Sequence, residues 1–241
     1  MERRIVIMAT LVVALGACSA GEDAPARPAD APAASAWVQP PRIDAISPNG
    51  ASLIVRGVAE PGARVVLRGA DGAAAAVAAD STGRFELRIP APPAPVLMAP
   101  EVQLGEDAAV SPDTLVVIPG GPAALIAAGE ATRRLDRAGP LEAVDFDGAA
   151  VQMVGRMADG AASAPTLVVD GAPLAVMRLP NGRWRAVQSG GAAREIVVGG
   201  RAYAYPGAQA LEGEGVARAG QGWRVAWVGR PSGRQVTWLP D

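Results

Sequence analysis

Histidine and lysine are both absent from this chain of 241 residues, so all 22 of its basic side chains are arginines. Without them the chain cannot build a Ser-His-Asp triad, a Cys-His pair, a histidine-ligated zinc site, a Schiff-base lysine or a P-loop lysine. Cys18 is the only cysteine, which excludes an intrachain disulfide. We therefore expect a protein that is not an enzyme and that takes no cofactor and no metal ion.

An excess of charge of one sign is also missing. The 22 arginines oppose 24 acidic residues, which leaves a formal net charge of −2. A protein that binds nucleic acid through the phosphates carries a basic surplus or a concentrated basic patch. The mild acidic balance gives no reason to propose such a partner, and we expect none.

The N-terminal residues have the layout of a secretory signal peptide. Two arginines precede an almost unbroken apolar run at residues 5–14. That run is about half as long as the roughly 20 residues of a membrane-spanning helix. The sequence Leu-Gly-Ala-Cys at 15–18 then resembles the lipobox of bacterial lipoproteins, in which the cysteine is lipidated. A plain signal peptide with an incidental cysteine is the alternative.

The lipobox resemblance implies a particular location for the mature protein. The signal peptide, residues 1–17, would be removed and Cys18 would carry the lipid anchor. Several acyl chains together are sufficient for stable membrane attachment. Because Ser19 rather than Asp follows the cysteine, the resemblance implies sorting to the outer membrane, with the protein on its periplasmic face.

Composition divides the rest of the chain into a tether and a folded part. Residues 18–41 are rich in Ala and Pro, cannot bury a core, and predict a flexible tether. From residue 42 onward, short apolar runs alternate with Gly, Pro, Asn and Asp turn residues, which is typical of antiparallel β-sandwiches. The runs predicted to be strands are 43–46, 52–58, 64–68, 73–79, 85–89, 96–104 and 114–118.

The second half of the chain repeats the first at a nearly constant offset. The segment that begins at Leu141 matches the one at Ile43, and Gly155 matches Gly57, each 98 residues later. Gly-Arg-Trp at 182–184 matches Gly-Arg-Phe at 83–85, 99 residues later. Such self-similarity indicates two copies of one module. We therefore predict domain 1 at 42–121 and domain 2 at 141–241, with an inter-domain segment at 122–140.

The first copy resembles bacterial Ig-like and carboxypeptidase-regulatory-like modules. It has Val-Ala-Glu-Pro-Gly-Ala-Arg-Val-Val-Leu at 58–67 and Ala-Asp-Ser-Thr-Gly-Arg-Phe-Glu-Leu at 79–87. The family pattern is a Pro-Gly-Ala turn before one strand and Asp-x-x-Gly-x-Phe leading into the next. The second copy departs from this pattern at 161–165. The resemblance implies an all-β chain of two antiparallel Ig-like β-sandwich domains, which serve as spacers or binding platforms.

The inter-domain segment has a mixed pattern. Residues 123–128 are apolar and favour an edge strand. Glu130 and Arg134 have the i,i+4 spacing of a helical ion pair, and Gly139 follows as a possible helix end. We expect a strand start followed by one loose helical turn.

The chain ends in a tryptophan-rich hairpin formed by 223–229 and 234–239. A turn with Pro and Gly at 230–233 predicts a three-residue loop that pairs Arg230 with Arg234. Side chains alternate along strands. The face predicted to be core then carries Trp223, Val225, Trp227 and Leu239.

Trp238 and Arg224 share the opposite face of that hairpin. We expect this face to be outermost, where the flat ring of Trp238 would stack on a sugar or on a partner side chain beside Arg224. The alternative is that another strand or an inter-domain contact covers the ring, since large aromatics are usually buried. These two residues are the only binding residues that the sequence suggests.

Two pairs of acidic residues resemble functional sites but are better explained as solvent-exposed turn or loop residues. Asp145 and Asp147 precede a glycine and suggest half of a calcium loop, but the further oxygen ligands are missing and a solvated turn is favoured. Glu212 and Glu214 have the composition of a glycosidase pair but lie in a Gly-rich loop. We predict neither a metal site nor a catalytic residue.

These observations favour a membrane-anchored structural or adaptor lipoprotein that presents Ig-like binding modules in the periplasm. Its expected partners are the membrane, through the lipid anchor, and an envelope protein or glycan. One alternative is a carbohydrate- or peptidoglycan-binding module that uses the C-terminal tryptophans. The other is a hydrolase that relies on carboxylates, the acidic groups left to a chain without histidine or lysine.

Overall fold

The computed structural model describes residues 38–136, 138–190, 193–207, 215–229 and 233–241. The predicted signal peptide, Cys18 and most of the predicted tether lie outside the described residues. Residues 38–241 group into one compact unit. In the described part of the chain, no helix is long and apolar enough to cross a membrane.

The first half of this unit forms two antiparallel sheets. Sheet A has the order β1-β2-β5, and sheet B has the order β10-β9-β8-β6-β3-β4 with β7 paired to β6. The strands are β1 (Arg42–Asn49), β2 (Ser52–Val58), β3 (Arg64–Gly69), β4 (Ala74–Ala78), β5 (Arg84–Pro90), β6 (Val96–Leu104), β7 (Asp107–Val110), β8 (Thr114–Val117), β9 (Ala123–Ile126) and β10 (Arg133–Arg134).

The second half forms two further antiparallel sheets and a 3-10 turn, Pro180–Gly182. Sheet C has the order β15-β16-β12-β11-β21-β20-β19, and sheet D has the order β14-β13-β17-β18. The strands are β11 (Leu141–Phe146), β12 (Ala150–Arg156), β13 (Leu167–Val169), β14 (Ala172–Pro173), β15 (Met177–Leu179), β16 (Arg183–Ser189), β17 (Glu195–Val198), β18 (Arg201–Ala204), β19 (Gly215–Arg218), β20 (Gly222–Gly229) and β21 (Gly233–Pro240). The predicted all-β, antiparallel fold class is confirmed.

The two halves share one strand topology. β1-β2-β5 of sheet A corresponds to β11-β12-β16 of sheet C, and the order β4-β3-β6-β8 recurs as β14-β13-β17-β18. Each half also has a register shift in its first strand, between Ile43 and Ala45 and between Leu141 and Ala143. The first half extends this plan with β7, β9 and β10, and the second half extends it with β15 and with the strands β19 to β21.

The matched glycines have the same structural role in both halves, since each lies against a buried aromatic ring. Gly57 lies opposite Phe85, and Gly155 lies opposite Trp184. A Cβ on Gly57 would lie 2.7 Å from the Phe85 ring, and a Cβ on Gly155 would lie 2.6 Å from the Trp184 ring. In each half a buried aromatic ring therefore lies on a glycine that must lack a side chain.

Three apolar cores order the four sheets into a stack. One core joins sheets A and B, and another joins sheets C and D. The third core lies between the halves, because sheet B contributes Val116, Ala124 and Ile126, with Ile118 directly after β8, while sheet C contributes Ala143, Val154, Val225 and Leu239. The layer order is A, B, C, D. The predicted division at 121 and 141 crosses this unit and stays a prediction.

The inter-domain segment differs from its expected structure. β9 lies between β8 and β10 rather than at an edge, and all four of its residues are buried. The expected helical turn is wrong, because β10 occupies Arg133–Arg134 and pairs with β9. Arg134 forms an ion pair with Asp136 instead of Glu130. Apolar surface on both sides of β9 outweighs the weak local preference for a helical turn.

The register of the C-terminal hairpin is also corrected. Val228 pairs with Arg234, and Gly229 pairs with Gly233, so the pairing of Arg230 with Arg234 is wrong. The loop residues 230–232 lie outside the described residues. The correction shifts the pairing by two positions, and a shift of two keeps every side chain on its predicted face. Trp227 and Trp238 accordingly lie on opposite faces, as the alternation predicts.

The glycine under Trp184 gives a test of the fold. Gly155→Ala would place a methyl group against this ring and the Pro140 carbonyl oxygen. We expect the free energy of unfolding to fall by about 1–3 kcal/mol or more, because the strand must move to relieve the overlap. Urea unfolding measures the change. Ala108→Ser, at an exposed position of β7, is the control and should change stability by less than about 0.5 kcal/mol. Equal, small effects of both variants would contradict the packing described.

Candidate functional site

A polar groove of about 490 Å³ lies where the inter-domain segment crosses sheet C. Five arginines and three carboxylates contribute to its walls, together with a few apolar side chains. The lining residues are Asp44, Glu130, Ala131, Arg133, Arg134, Leu135, Asp136, Arg156, Leu179, Pro180, Asn181, Arg183 and Arg185. We call this the junction groove. Five arginines thus line one groove of a protein whose formal net charge is −2.

Strand alternation places the arginines of sheet C in the groove. Along β16, Trp184 and Ala186 point into the core between sheets C and D. Arg183 and Arg185 therefore lie on the opposite face, toward sheet B. Arg156 on β12 pairs directly with Arg183 and shares that face. The third core ends here, and the arginines begin where sheet B no longer covers sheet C.

A buried carboxylate holds two of these arginines in place. Glu142 has no solvent-exposed surface. One of its oxygens accepts a hydrogen bond from Arg156 Nε at 3.2 Å and lies 3.0 Å from Arg156 Nη2, and the other oxygen accepts from Arg183 Nε at 3.1 Å. Arg183 also donates to the Thr132 carbonyl oxygen, which ties the inter-domain segment to sheet C. Such a buried charge is tolerated because both of its oxygens are paired.

Arg134 is a second residue that connects the inter-domain segment to sheet C. Its guanidinium is buried and forms a bidentate ion pair with Asp136, with nitrogen to oxygen distances of 2.7 and 2.6 Å. The same group donates to the Pro240 carbonyl oxygen at 2.8 Å and to the Glu142 carbonyl oxygen at 3.4 Å. One cation thus joins the inter-domain segment, β11 and β21. Bidentate, charge-assisted hydrogen bonds of this kind are among the strongest in proteins.

Arg133 covers the first strand of sheet A. It donates to the carbonyl oxygens of Ile43 and Asp44. Burial lowers the pKa of its guanidinium, the nearby Asp113 carboxylate opposes that change, and the positive charge of Arg183 adds to it. Burial likewise raises the pKa of Asp113. The guanidinium groups of Arg133 and Arg183 are close enough to repel each other, which favours a negative charge in the groove.

Arg185 differs from the other four arginines. Across the described residues its guanidinium has no hydrogen bond or ion pair, although it lines the groove and is only half exposed. Two exposed apolar residues flank it on the same face. Met177 pairs with Arg185 across β15 and β16, and Val187 is two residues further along β16. This combination is an unpaired cation within an apolar rim.

Asp145 belongs to a network of hydrogen bonds beside the groove, which joins the inter-domain segment to β11 and β21. Its carboxylate accepts from the hydroxyls of Thr132 and Thr237 at 2.6 and 2.7 Å and from the Thr132 N–H at 3.1 Å. Burial raises the pKa of Asp145, and these hydrogen bonds oppose the rise. Asp147 instead accepts the N–H groups of Ala149 and Ala150 in the turn. In the described residues, no group of three acidic or cysteine side chains is arranged to hold a metal ion.

The predicted binding residue Trp238 does not lie on the surface. Its side chain is 1% exposed, and its indole N–H donates to the Ala219 carbonyl oxygen at 2.9 Å. Its ring packs against Tyr205 in a T-shaped arrangement, with ring centroids 5.5 Å apart. The outward position is therefore wrong, and the alternative stated above, a ring covered by another part of the fold, is the one observed, because sheet D covers this face of the hairpin. Arg224 lies directly opposite Trp238 in the register and is half-buried.

Two other candidates fall outside the described residues, namely the lipidation site Cys18 and the acidic pair Glu212 and Glu214. The junction groove itself was not among the sequence candidates. One signal for it is present, because Arg183-Trp184-Arg185 on a strand with an inward aromatic predicts two cations on the outer face. The partners on the inter-domain segment are not visible in the sequence, because they depend on how sheets B and C pack.

The buried carboxylate gives a test of the junction. Glu142→Gln keeps the shape of the side chain and removes the charge that pairs with Arg183 and Arg156. We expect the free energy of unfolding to fall by about 3 kcal/mol, because Arg183, whose side chain is only 13% exposed, loses its counter-charge. The matched control is Glu86→Gln, which removes an exposed ion pair with Arg56 and should cost less than about 1 kcal/mol. Urea unfolding of both variants measures the difference. A Glu142→Gln variant no less stable than the control would contradict the assignment.

In comparisons with known proteins, no protein-family model matches the chain and no curated protein is similar to it.

Proposed function

We propose that the protein is a membrane-anchored adaptor lipoprotein. Lipidated Cys18 attaches it to the outer membrane on the periplasmic side, and the Ala/Pro-rich tether separates the membrane from two stacked Ig-like sandwiches. These sandwiches present a binding surface to a partner in the envelope. The protein performs no chemical step and uses no cofactor, metal ion or nucleic acid.

One observation supports this proposal most directly. The junction groove is built on a body whose two sandwiches share a core, so its charged walls hold a fixed geometry. Binding residues carried by rigid strands lose little entropy on association and can recognise a partner specifically. An adaptor needs such a rigid binding surface, and the flexible tether already allows that surface to move relative to the membrane.

The burial of Trp238 favours the adaptor over the glycan-binding alternative. A module that stacks sugars requires an accessible aromatic face. Trp238 fills the core between sheets C and D instead. The charged groove, rather than the tryptophan hairpin, is therefore the surface on which we expect a partner.

Anchoring is tested by replacing the lipidated residue. We expect Cys18→Ala to remove the protein from the membrane fraction or to block its processing, because no acyl chains can be attached. The matched control is Ser19→Ala, which keeps the cysteine and should leave the protein in the membrane. Cell fractionation and detergent partitioning measure both. Unchanged processing and partitioning of Cys18→Ala would exclude the lipoprotein assignment.

The binding surface is tested in the same membranes with a photo-crosslinking residue. One is placed at Asn181 on the rim of the junction groove, and the control is placed at Asp71 in the exposed turn between β3 and β4. An adaptor that works through the groove gives a defined adduct from position 181 and not from position 71. Equal labelling from both positions would contradict this role for the groove.

A further inference from the structure

Arg185 is a cation of the junction groove whose guanidinium has no hydrogen bond or ion pair among the described residues. Its guanidinium lines the junction groove without a partner among the described residues, while the neighbouring Arg156 and Arg183 are held by Glu142. A guanidinium presents planar pairs of N–H groups that match a carboxylate or phosphate. Because two further guanidinium groups lie close by, a negative ligand group here would be stabilised by more than one positive charge.

Apolar side chains next to Arg185 indicate what is attached to that negative group. Met177 and Val187 are 55% and 52% exposed and lie on the same sheet face as Arg185. Leu179 and Pro180 continue this apolar surface at the groove wall. Exposed apolar side chains beside a charged group are characteristic of binding sites. The ligand therefore combines an anionic end with at least one apolar group.

The acidic residues of the groove narrow the choice further. Asp44, Glu130 and Asp136 line the same groove as the arginines. They would repel a doubly charged phosphate more strongly than a singly charged carboxylate, and they would be left without hydrogen bonds beneath a long hydrocarbon chain. They can accept hydrogen bonds from peptide N–H groups. Glu130 is well placed for this, because it is exposed and also lines the adjoining cleft that contains Val187.

We propose that the junction groove binds the C-terminal end of a peptide, with the terminal carboxylate on Arg185 and an apolar last side chain on Met177 and Val187. Carboxylates of the groove accept N–H groups from the preceding residues of that peptide. This inference rests on the proposed binding role of the groove, and it specifies the chemistry of the partner.

The test uses the full chain, purified in detergent whether or not it carries a lipid, and a probe of defined chemistry. The probe is a Gly-Ala-Ala-Leu peptide with fluorescein on its N-terminus and a free C-terminal carboxylate, and its binding is followed by fluorescence anisotropy. The matched probe has a C-terminal amide. We expect the amide to bind at least about ten-fold more weakly, because a charge-assisted pair of hydrogen bonds is lost.

Variants assign the binding to the groove. Arg185→Gln should weaken binding of the free-carboxylate peptide about ten-fold or more, while Arg88→Gln, at an exposed position of β5 outside the groove, should leave it unchanged. Met177→Ser should weaken it about three- to ten-fold through the lost apolar contact. Near-ultraviolet circular dichroism checks that each variant keeps the native fold. Because neither Arg185 nor Met177 belongs to any of the three apolar cores, neither change removes a core contact.

Several results would overturn the inference. They are equal binding of the carboxylate and amide peptides, equal effects of Arg185→Gln and Arg88→Gln, and no saturable signal at about 1 mM protein. Inorganic phosphate that competes better than acetyl-leucine would show that the groove prefers a phosphate. This titration requires neither membrane attachment nor a cellular partner. A failure of the anchoring experiment therefore leaves it standing, and a failure of the titration leaves the anchoring result unaffected.

Discussion

The packing of sheet B against sheet C is the constraint on which the rest of the structure depends. Each sandwich already has its own core, yet β8 and β9 carry apolar side chains on both faces. Leu115 and Leu125 point toward sheet A, and Val116 and Ala124 point toward sheet C. A strand buried on both faces is a continuous apolar run rather than an alternating one. This double burial joins two similar sandwiches into four layers.

The junction groove follows from that packing. Where sheet B ends over sheet C, the inter-domain segment must pass across exposed backbone and charged side chains. Arg134, Thr132 and Glu142 satisfy these groups by hydrogen bonds and ion pairs that reach both halves. Buried polar groups are stable only when they are paired. The pairing fixes most of the arginines, and the one beyond the reach of Glu142, Arg185, is left facing the groove.

The two halves differ at the edge of their first strand: among the described strands, β1 of sheet A has no strand beside it on this side, whereas β11 of sheet C pairs with β21. In the second half, β11 pairs with β21, so that Phe146 lies opposite Val236. In the first half, the corresponding residue is Pro48, which has no N–H to donate, and Arg133 occupies nearby carbonyl oxygens of β1. Proline and charge are common means of protecting an edge strand from pairing. In the first half, β1 is therefore protected from pairing with another strand at the edge where, in the second half, β11 pairs with the C-terminal hairpin.

Much of the fold was accessible from the sequence because turn residues bound the strands clearly. Pro-Gly, Asp-Gly and similar turns bound most strands of the first half within one residue, although β1 extends three residues beyond its predicted end and β7 was not predicted. The matched Gly57 and Gly155 identified equivalent positions in both halves. The hairpin faces were also correct, since alternation requires only a count of residues. What alternation cannot reveal is which layer covers each face. The sequence therefore leaves open whether Trp238 is covered, it does not predict that β9 is an inner strand, and it does not reveal the junction groove, which exists only between layers.

The central claim is that the shared core makes the two sandwiches unfold as one body. Native-state hydrogen exchange, read by mass spectrometry on peptides from β2 and β8 in the first half and from β12 and β16 in the second, tests it directly. The account predicts that the slowest amides of both halves open with the same free energy and the same dependence on denaturant. A separate opening of β2 and β8 at clearly lower free energy, with β12 and β16 still protected, would contradict it.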